Sequence, residues 1–391
     1  MKKNLLILGS LFIGLSVSFT SCKDDDDKDN KIPASDAYNL EYKSAYATAW
    51  GNYMNIVSNL LKDDATTLYN DWNESFNNGE SYAALFKAHN GGIEGINSQE
   101  DCLSQIIDGC IDIAGEVGES KIGDPIDKWE AGDQTAALYA VESWYSWHSR
   151  DDYTNNIRSI RNAYYGTRDG AIAEHSLYNL IKNYDEALNT KVDNAIKTAE
   201  NAIQAIPQPF RNNIGSQEAK DAQDACGDLA EILEDDIKPI FENALIAGQD
   251  FEMEEIIKQY VDVVVVPTYK DLKDKNTALN NAVKAFVAHP TNEGFEACAD
   301  AWLAAREPWE QSESFLFGPV ADKGLDPNMD SWPLDQVGIV NILNSQDFNQ
   351  LSWEGEYDEE SEIIESAQSL RGFHTLEYLV FKDGKARTIA K

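Results

Sequence analysis

The sequence predicts an all-α protein built from helical bundles, on three observations. Apolar residues recur at helical spacing nearly everywhere, strand-like alternation is scarce, and the amphipathic runs are several turns long with short polar links. Tyr46, Trp50, Tyr53, Val57 and Leu60 step by fours and threes, the apolar seam of one bundle helix. Leu177, Ile181, Tyr184, Leu188, Ala195, Ala199, Ile203 and Ile206 form a second seam, which Pro207 and Pro209 end. Ala222, Cys226, Leu229, Leu233 and Ile237 form a third, before Pro239. Val263 to Val266 is β-branched. Ile256, Ile257, Tyr260, Val261 and Val264 nevertheless hold helical spacing through it, which predicts a helix kinked at Pro267. A break at Gly248-Gln249-Asp250 divides the chain into a first helical domain, 36–248, and a second, 249–391. The stretch from Phe317 to Trp332, rich in Gly, Pro and Asp, reads as the longest irregular segment; such loops are functional or disordered.

Residues ahead of position 36 are not fold. Lys2 and Lys3 precede an apolar run from Leu5 to Phe19, then Thr20-Ser21-Cys22. This pattern predicts a signal peptide over 1–21, with Cys22 resembling the acylated first residue of a bacterial lipoprotein. Residues 22–35 then form a tether. Its charged part, Lys23 to Asn30, resembles the acidic signal that sends such lipoproteins to the cell surface. No later run reaches the ~18 apolar residues of a spanning helix, so the membrane is met through the lipid alone. An exported outer-membrane lipoprotein facing outward is the expectation.

The chain of 391 residues carries 32 Lys+Arg against 68 Asp+Glu, a formal charge of −36. A surface this acidic repels phosphate backbones, which excludes nucleic acid as a partner, and it suits a protein that meets cations. Beyond Cys22, Cys102, Cys110, Cys226 and Cys298 are too sparse for a disulfide scaffold and read as buried small hydrophobes.

The chain has no HExxH, no GxSxG elbow, no phosphate-binding glycine loop and only five histidines. His374 stands out in RGFHTLEYLVF. Glu377 lies one helical turn on, so imidazole and carboxylate share a face and can converge on one cation, while Gly372 lets a backbone or ligand approach closely. A second segment, AWLAAREPWEQSESFLFGP, spaces Arg306, Glu310 and Glu313 on one helix face among tryptophans, with Pro308 inside the helix. A third, Glu142 to Asn156, concentrates carboxylates, hydroxyls and aromatics and reads as a cleft wall. Glu116 and Lys121 lie upstream of it among glycines. Asp326 to Asp330 (DPNMD) mimics a calcium loop, but Ser331 replaces the required glycine and Val337 the closing glutamate.

Gly372-Phe373-His374-Thr375-Leu376-Glu377 resembles the GxHxxE signature of the imelysin-like family, and AWLAAREPWEQSESFLFGP resembles that family's other strong segment. The resemblance implies two four-helix-bundle-like domains with the signature near their interface, and a link to iron uptake. It also implies a circularly permuted chain order. The signature falls near the end of this chain, while Tyr42 to Trp72, IAGEVGE and ESWYSWHSRDDYTNN look like landmarks that normally follow it. Under that order, 36–248 is equivalent to the family's C-terminal half. Carried over residue by residue, His374, Glu377 and Glu313 are the expected metal ligands. Gly372, Arg306, Glu310, Ser312, Glu116, Glu142, Ser143 and Ser146 are expected to line the ligand site.

The expected function is binding of a metal, iron favoured over zinc or calcium, or of an iron-linked ligand at the bundle interface. The partner would be an outer-membrane uptake receptor, and no catalytic residue is assigned. Two alternatives stand beside it: a zinc-type metallopeptidase using HxxE, and a partner-binding protein in which the motif is structural.

Overall fold

The computed structural model describes residues 31–246 and 248–389; the expected signal peptide, Cys22 and most of the expected tether lie outside them. Eight helices carry the architecture. Helix α1 (Ala47–Asn73) turns Trp50, Tyr53, Val57, Leu61, Leu68 and Trp72 inward, the seam read from the sequence continued to its end. Helices α2 (Gln99–Glu116), α3 (Ser149–Tyr165), α4 (Glu186–Ala205) and α5 (Gln217–Ile232) pack together as one four-helix bundle. Helix α1 packs with α6 (Val266–Ala288), α7 (Asn292–Glu310) and the short α8 (Gly372–Val380) as the other. The grouping therefore differs from a division of the chain near residue 248. Helix α1 lies before that point, yet Trp50 Nε1 donates to the Leu379 carbonyl at 3.0 Å and Ser58 Oγ accepts from Asn280 at 3.0 Å.

Local chemistry sets the helix ends. Ser98, Ser216 and Thr291 accept backbone N–H bonds as N-caps of α2, α5 and α7. The long seam from Leu177 to Ile206 is two helices, because Asp185 adopts an extended backbone and caps the amides of Ala187 and Leu188. The kink expected at Pro267 is a π turn, Tyr260–Val265, after which the proline falls in the first turn of α6, where its missing N–H costs nothing. A second π turn, Val117–Gly123, continues α2 into the helix Asp124–Glu130.

Phe317 to Trp332, expected as irregular, is instead largely folded. Pro319 starts the short helix Pro319–Asp322, and the left-handed Gly324 (φ 58°) turns the chain into Leu325–Asp330. Strand is confined among the described residues to Phe381–Lys382 paired with Lys385–Ala386. The two ends of the described chain meet: Tyr378 Oη donates to the Ala37 carbonyl at 2.7 Å, and Arg387 donates to Leu40. One contiguous apolar core runs through both bundles. The four cysteines within it are free and buried. No helix of the described residues is long and apolar enough to cross a membrane.

The bundles touch at the end of α7. Gly109 of α2 has no side chain where the Ser314 backbone crosses it, and Ser314 N donates to Ser159 Oγ of α3 at 3.1 Å. That crossing is where the charged side chains collect.

Candidate metal centre

Gly372 opens α8 with φ +88°, and a β-carbon there would stand 2.5 Å from the Met329 carbonyl oxygen. Only glycine meets both conditions, and the close approach sets Asp330 against the first turn of α8. His374 is buried there. Its Nε2 lies 3.0 Å from Asp330 Oδ1 and its Nδ1 lies 3.2 Å from Glu377 Oε2, with the Trp332 ring 4.7 Å away. Burial and the nearby Arg306 charge push the imidazole pKa down. The two carboxylates outweigh them and hold it at about 9, so it is an imidazolium donating to both.

Glu377 is equally engaged. Its Oε1 accepts from the backbone amides of Tyr145 and Ser146 at 3.0 and 2.7 Å. Those amides are aimed by a turn in which Ser143 (φ 48°) and Trp147 (φ 62°) adopt left-handed backbone. The His-x-x-Glu pair is thus closed on itself and on this turn.

Arg306, fully buried on α7, is the second cation. It ion-pairs with Glu310 Oε1 at 2.5 Å, with Asp330 Oδ1, and with Asp152 Oδ2 at 3.5 Å; the Phe373 ring lies 5.4 Å from it. Asp330 also accepts from Trp309 Nε1 at 2.6 Å. Asp152 bonds His148 at 2.7 Å and accepts from Ser143 Oγ. Burial raises both carboxyls, but Arg306 and His374 bring Asp330 well below the usual range, and His148 and Arg306 bring Asp152 below it.

Beyond Arg306 the balance reverses. Glu313, expected on the same helix face as Arg306 and Glu310, lies off it: α7 ends at Glu310 and Glu313 sits in the 3-10 turn that follows. It is 7% exposed, and among the described residues its carboxyl has neither hydrogen bond nor ion pair. Burial drives it well above the usual range, Lys121 opposing only in part. Burial likewise raises Glu310 to about 8 and Asp326, on the short helix Leu325–Asp330, to about 7. One oxygen each of Glu310, Glu313 and Asp330 lies within 4.8 Å of the others, the spacing of a cation's ligands. Lys121, on the inner side of the π turn, completes the cluster, 3.3 Å from Glu142 and 3.5 Å from Glu116.

The structure therefore gathers almost every residue singled out in the sequence, with a different division of labour. Of the expected ligands, only Glu313 is among the three converging carboxylates; Glu310 joins it from the lining set. Ser143 and Ser146 hold Asp152 and Glu377, and Ser312 donates to the Trp309 carbonyl at 2.6 Å at the end of α7. Asp330, Asp326 and Asp152 were not among the expected site residues. The four-residue spacing of Asp326 and Asp330 beside two other acidic motifs was the available signal.

The imelysin family model matches residues 25–235 and 265–391. The chain is 55% identical to an imelysin peptidase from Bacteroides ovatus of solved structure, covering 91% of this chain and all of that one with a TM-score of 0.88. It is 33% identical over 127 residues to iron-regulated protein A of Synechococcus elongatus, a match spanning only 31% of that relative's length. On the extent of the family match and the agreement of the two folds, this chain belongs to the imelysin family.

Proposed function

We propose that this imelysin-family protein binds a metal ion, iron favoured over zinc and calcium, at the junction of its two bundles, and is not a working peptidase. The observation that carries the reading is the convergence of Glu310, Glu313 and Asp330 within 4.8 Å, with Glu313 buried and without a partner among the described residues. Carboxylate oxygens suit a hard or borderline cation, and these three would hold it. A bound ion would compensate Glu313, which burial otherwise keeps from ionising. His374 fixes Asp330, and Glu377 fixes His374, the way second-shell partners orient ligands. The iron assignment draws on the name of the iron-regulated relative.

Hydrolysis at such a centre needs three protein ligands, an open water position and a general base. Both ring nitrogens of His374 and both oxygens of Glu377 have protein partners, so neither stands free as a general base, which supports a binding site over a peptidase.

The wider setting belongs to the same reading: export through 1–21, acylation at Cys22, outward display at the outer membrane, and delivery of the ion or an iron-linked ligand to an uptake receptor. The permuted chain order is also part of it, supported by the meeting of Tyr378 and Arg387 with Ala37 and Leu40.

The test is anaerobic equilibrium dialysis with ferrous, zinc and calcium ions against wild type, Glu313→Gln and His374→Ala. Wild type should retain one ion per chain with iron bound best, and Glu313→Gln should retain none. Equal retention by wild type and Glu313→Gln would remove the reading. Turnover of casein by metal-loaded wild type, lost in Glu377→Gln, would restore the peptidase.

A further inference from the structure

We propose that Lys121 gates the carboxylate site and sets which ligands it admits, so that the ligand is a bare cation rather than a chelate; this rests on the site proposed above. The converging acids are enclosed. His374, Glu377, Arg306 and Glu310 are essentially without solvent exposure, Asp330 is 5% exposed at its side chain and Glu313 is 7% exposed. A chelate carrying its own organic ligands does not fit among side chains packed this closely, whereas a dehydrated ion does.

The outer layer is Glu116, Lys121 and Glu142. Glu116 is half exposed at its side chain, and Glu142 retains 13% exposure. Lys121 is 4% exposed and reaches both carboxylates, while its charge also falls on Glu313 and Glu310. The ammonium thus contacts the solvated acid and acts electrostatically on the unpartnered one. It is aimed there by the π turn Val117–Gly123, a widening of the helix that is common at functional sites. A buried lysine with this many acidic neighbours stays charged, and a fixed positive charge repels an incoming cation until it is displaced. An ion reaches Glu313 by breaking the Lys121 contacts to Glu142 and Glu116 and leaving the ammonium to swing toward solvent. Weakly charged ions cannot drive that exchange. Multiply charged ions can.

Trp309, bonded to Asp330, and Trp332, packed on His374, report occupancy through their fluorescence. Stopped-flow mixing of the full chain with ferrous ion under anaerobic conditions, repeated in excess potassium, reads the gate. Lys121→Met should associate about tenfold faster than wild type, the effect of one lost charge-assisted contact, and potassium should then compete where it does not in wild type. Lys121→Arg should restore the slow rate. Glu116→Gln, an exposed change that leaves the core intact, should accelerate association about threefold by releasing one side of the ammonium. An unchanged rate in Glu116→Gln and Lys121→Met, with ferrous ion still bound by wild type and lost in Glu313→Gln, overturns the gate alone. Binding that is the same in wild type and Glu313→Gln overturns the site and the gate together.

Discussion

The polar cluster between the bundles has two sides that obey opposite rules. Toward α8, His374, Glu377, Arg306, Asp330 and Asp152 are matched cation to anion, and their contacts are charged hydrogen bonds between buried groups. Toward α2, Glu313 has no partner among the described residues and Asp326 is raised to about 7 by burial. The same burial that makes pairing obligatory on the first side leaves uncompensated acid on the second. The difference teaches where structure ends and function begins. The matched side holds the interface in register, and the unmatched side waits for a charge from outside.

Breaking the matched side should be the most damaging change. Arg306→Met strands Asp330, Glu310 and Asp152 without their shared cation, and urea unfolding should show a loss of ~3–5 kcal/mol. A loss under ~1 kcal/mol would mean that the three acids find other partners and that the two sides do not differ. Gly372→Ala comes next, since it combines a left-handed backbone with a β-carbon pressed on the Met329 carbonyl. We expect ~2–3 kcal/mol in the same measurement, with the His374–Asp330 contact loosened.

The unmatched side predicts the contrary. Glu313→Gln removes a buried acid that no residue compensates, so the metal-free protein should change by less than ~0.5 kcal/mol or become more stable. A large loss would show that Glu313 has a structural partner after all.

Both sides also set a pH dependence. His374, at about 9, and Asp326, at about 7, both hold protons more tightly in the folded chain than their ordinary values of 6.5 and 3.8 allow. Their contributions are full below those ordinary values and are lost as pH rises through the folded ones. The melting temperature of metal-free protein should therefore decline from about pH 5 to about pH 9, and Asp326→Asn should flatten the lower part of that slope. Asp330 and Asp152 act the other way, losing their contribution only in acid.

Most of the helical architecture was legible in the sequence, because a seam such as Tyr46 to Leu60 depends only on local periodicity. The His374–Glu377 pair and the Arg306-Glu310 face were legible for the same reason: residues a turn apart must be neighbours. What was not legible depends on contacts far apart in the chain. Asp330 meets His374 because Gly372 lets two backbones touch, and nothing local to DPNMD announces it. Helix α1 joins α6 and α8 across more than two hundred residues, so a break at Gly248 could not reveal how the bundles share the chain. The expected convergence of His374 and Glu377 on a cation rests on local spacing alone. The spacing brings the two groups together, but the amides of Tyr145 and Ser146 and the carboxylate of Asp330 decide what they face.

The central claim is that the three converging carboxylates, and not the His-x-x-Glu pair, receive the ion. Anomalous diffraction at the iron edge from crystals soaked anaerobically in ferrous salt tests it most directly. The account predicts one peak bounded by Glu310, Glu313 and Asp330, with His374 still bonded to Asp330. A peak coordinated by His374 Nε2 and Glu377, with Glu313 turned away, would contradict it.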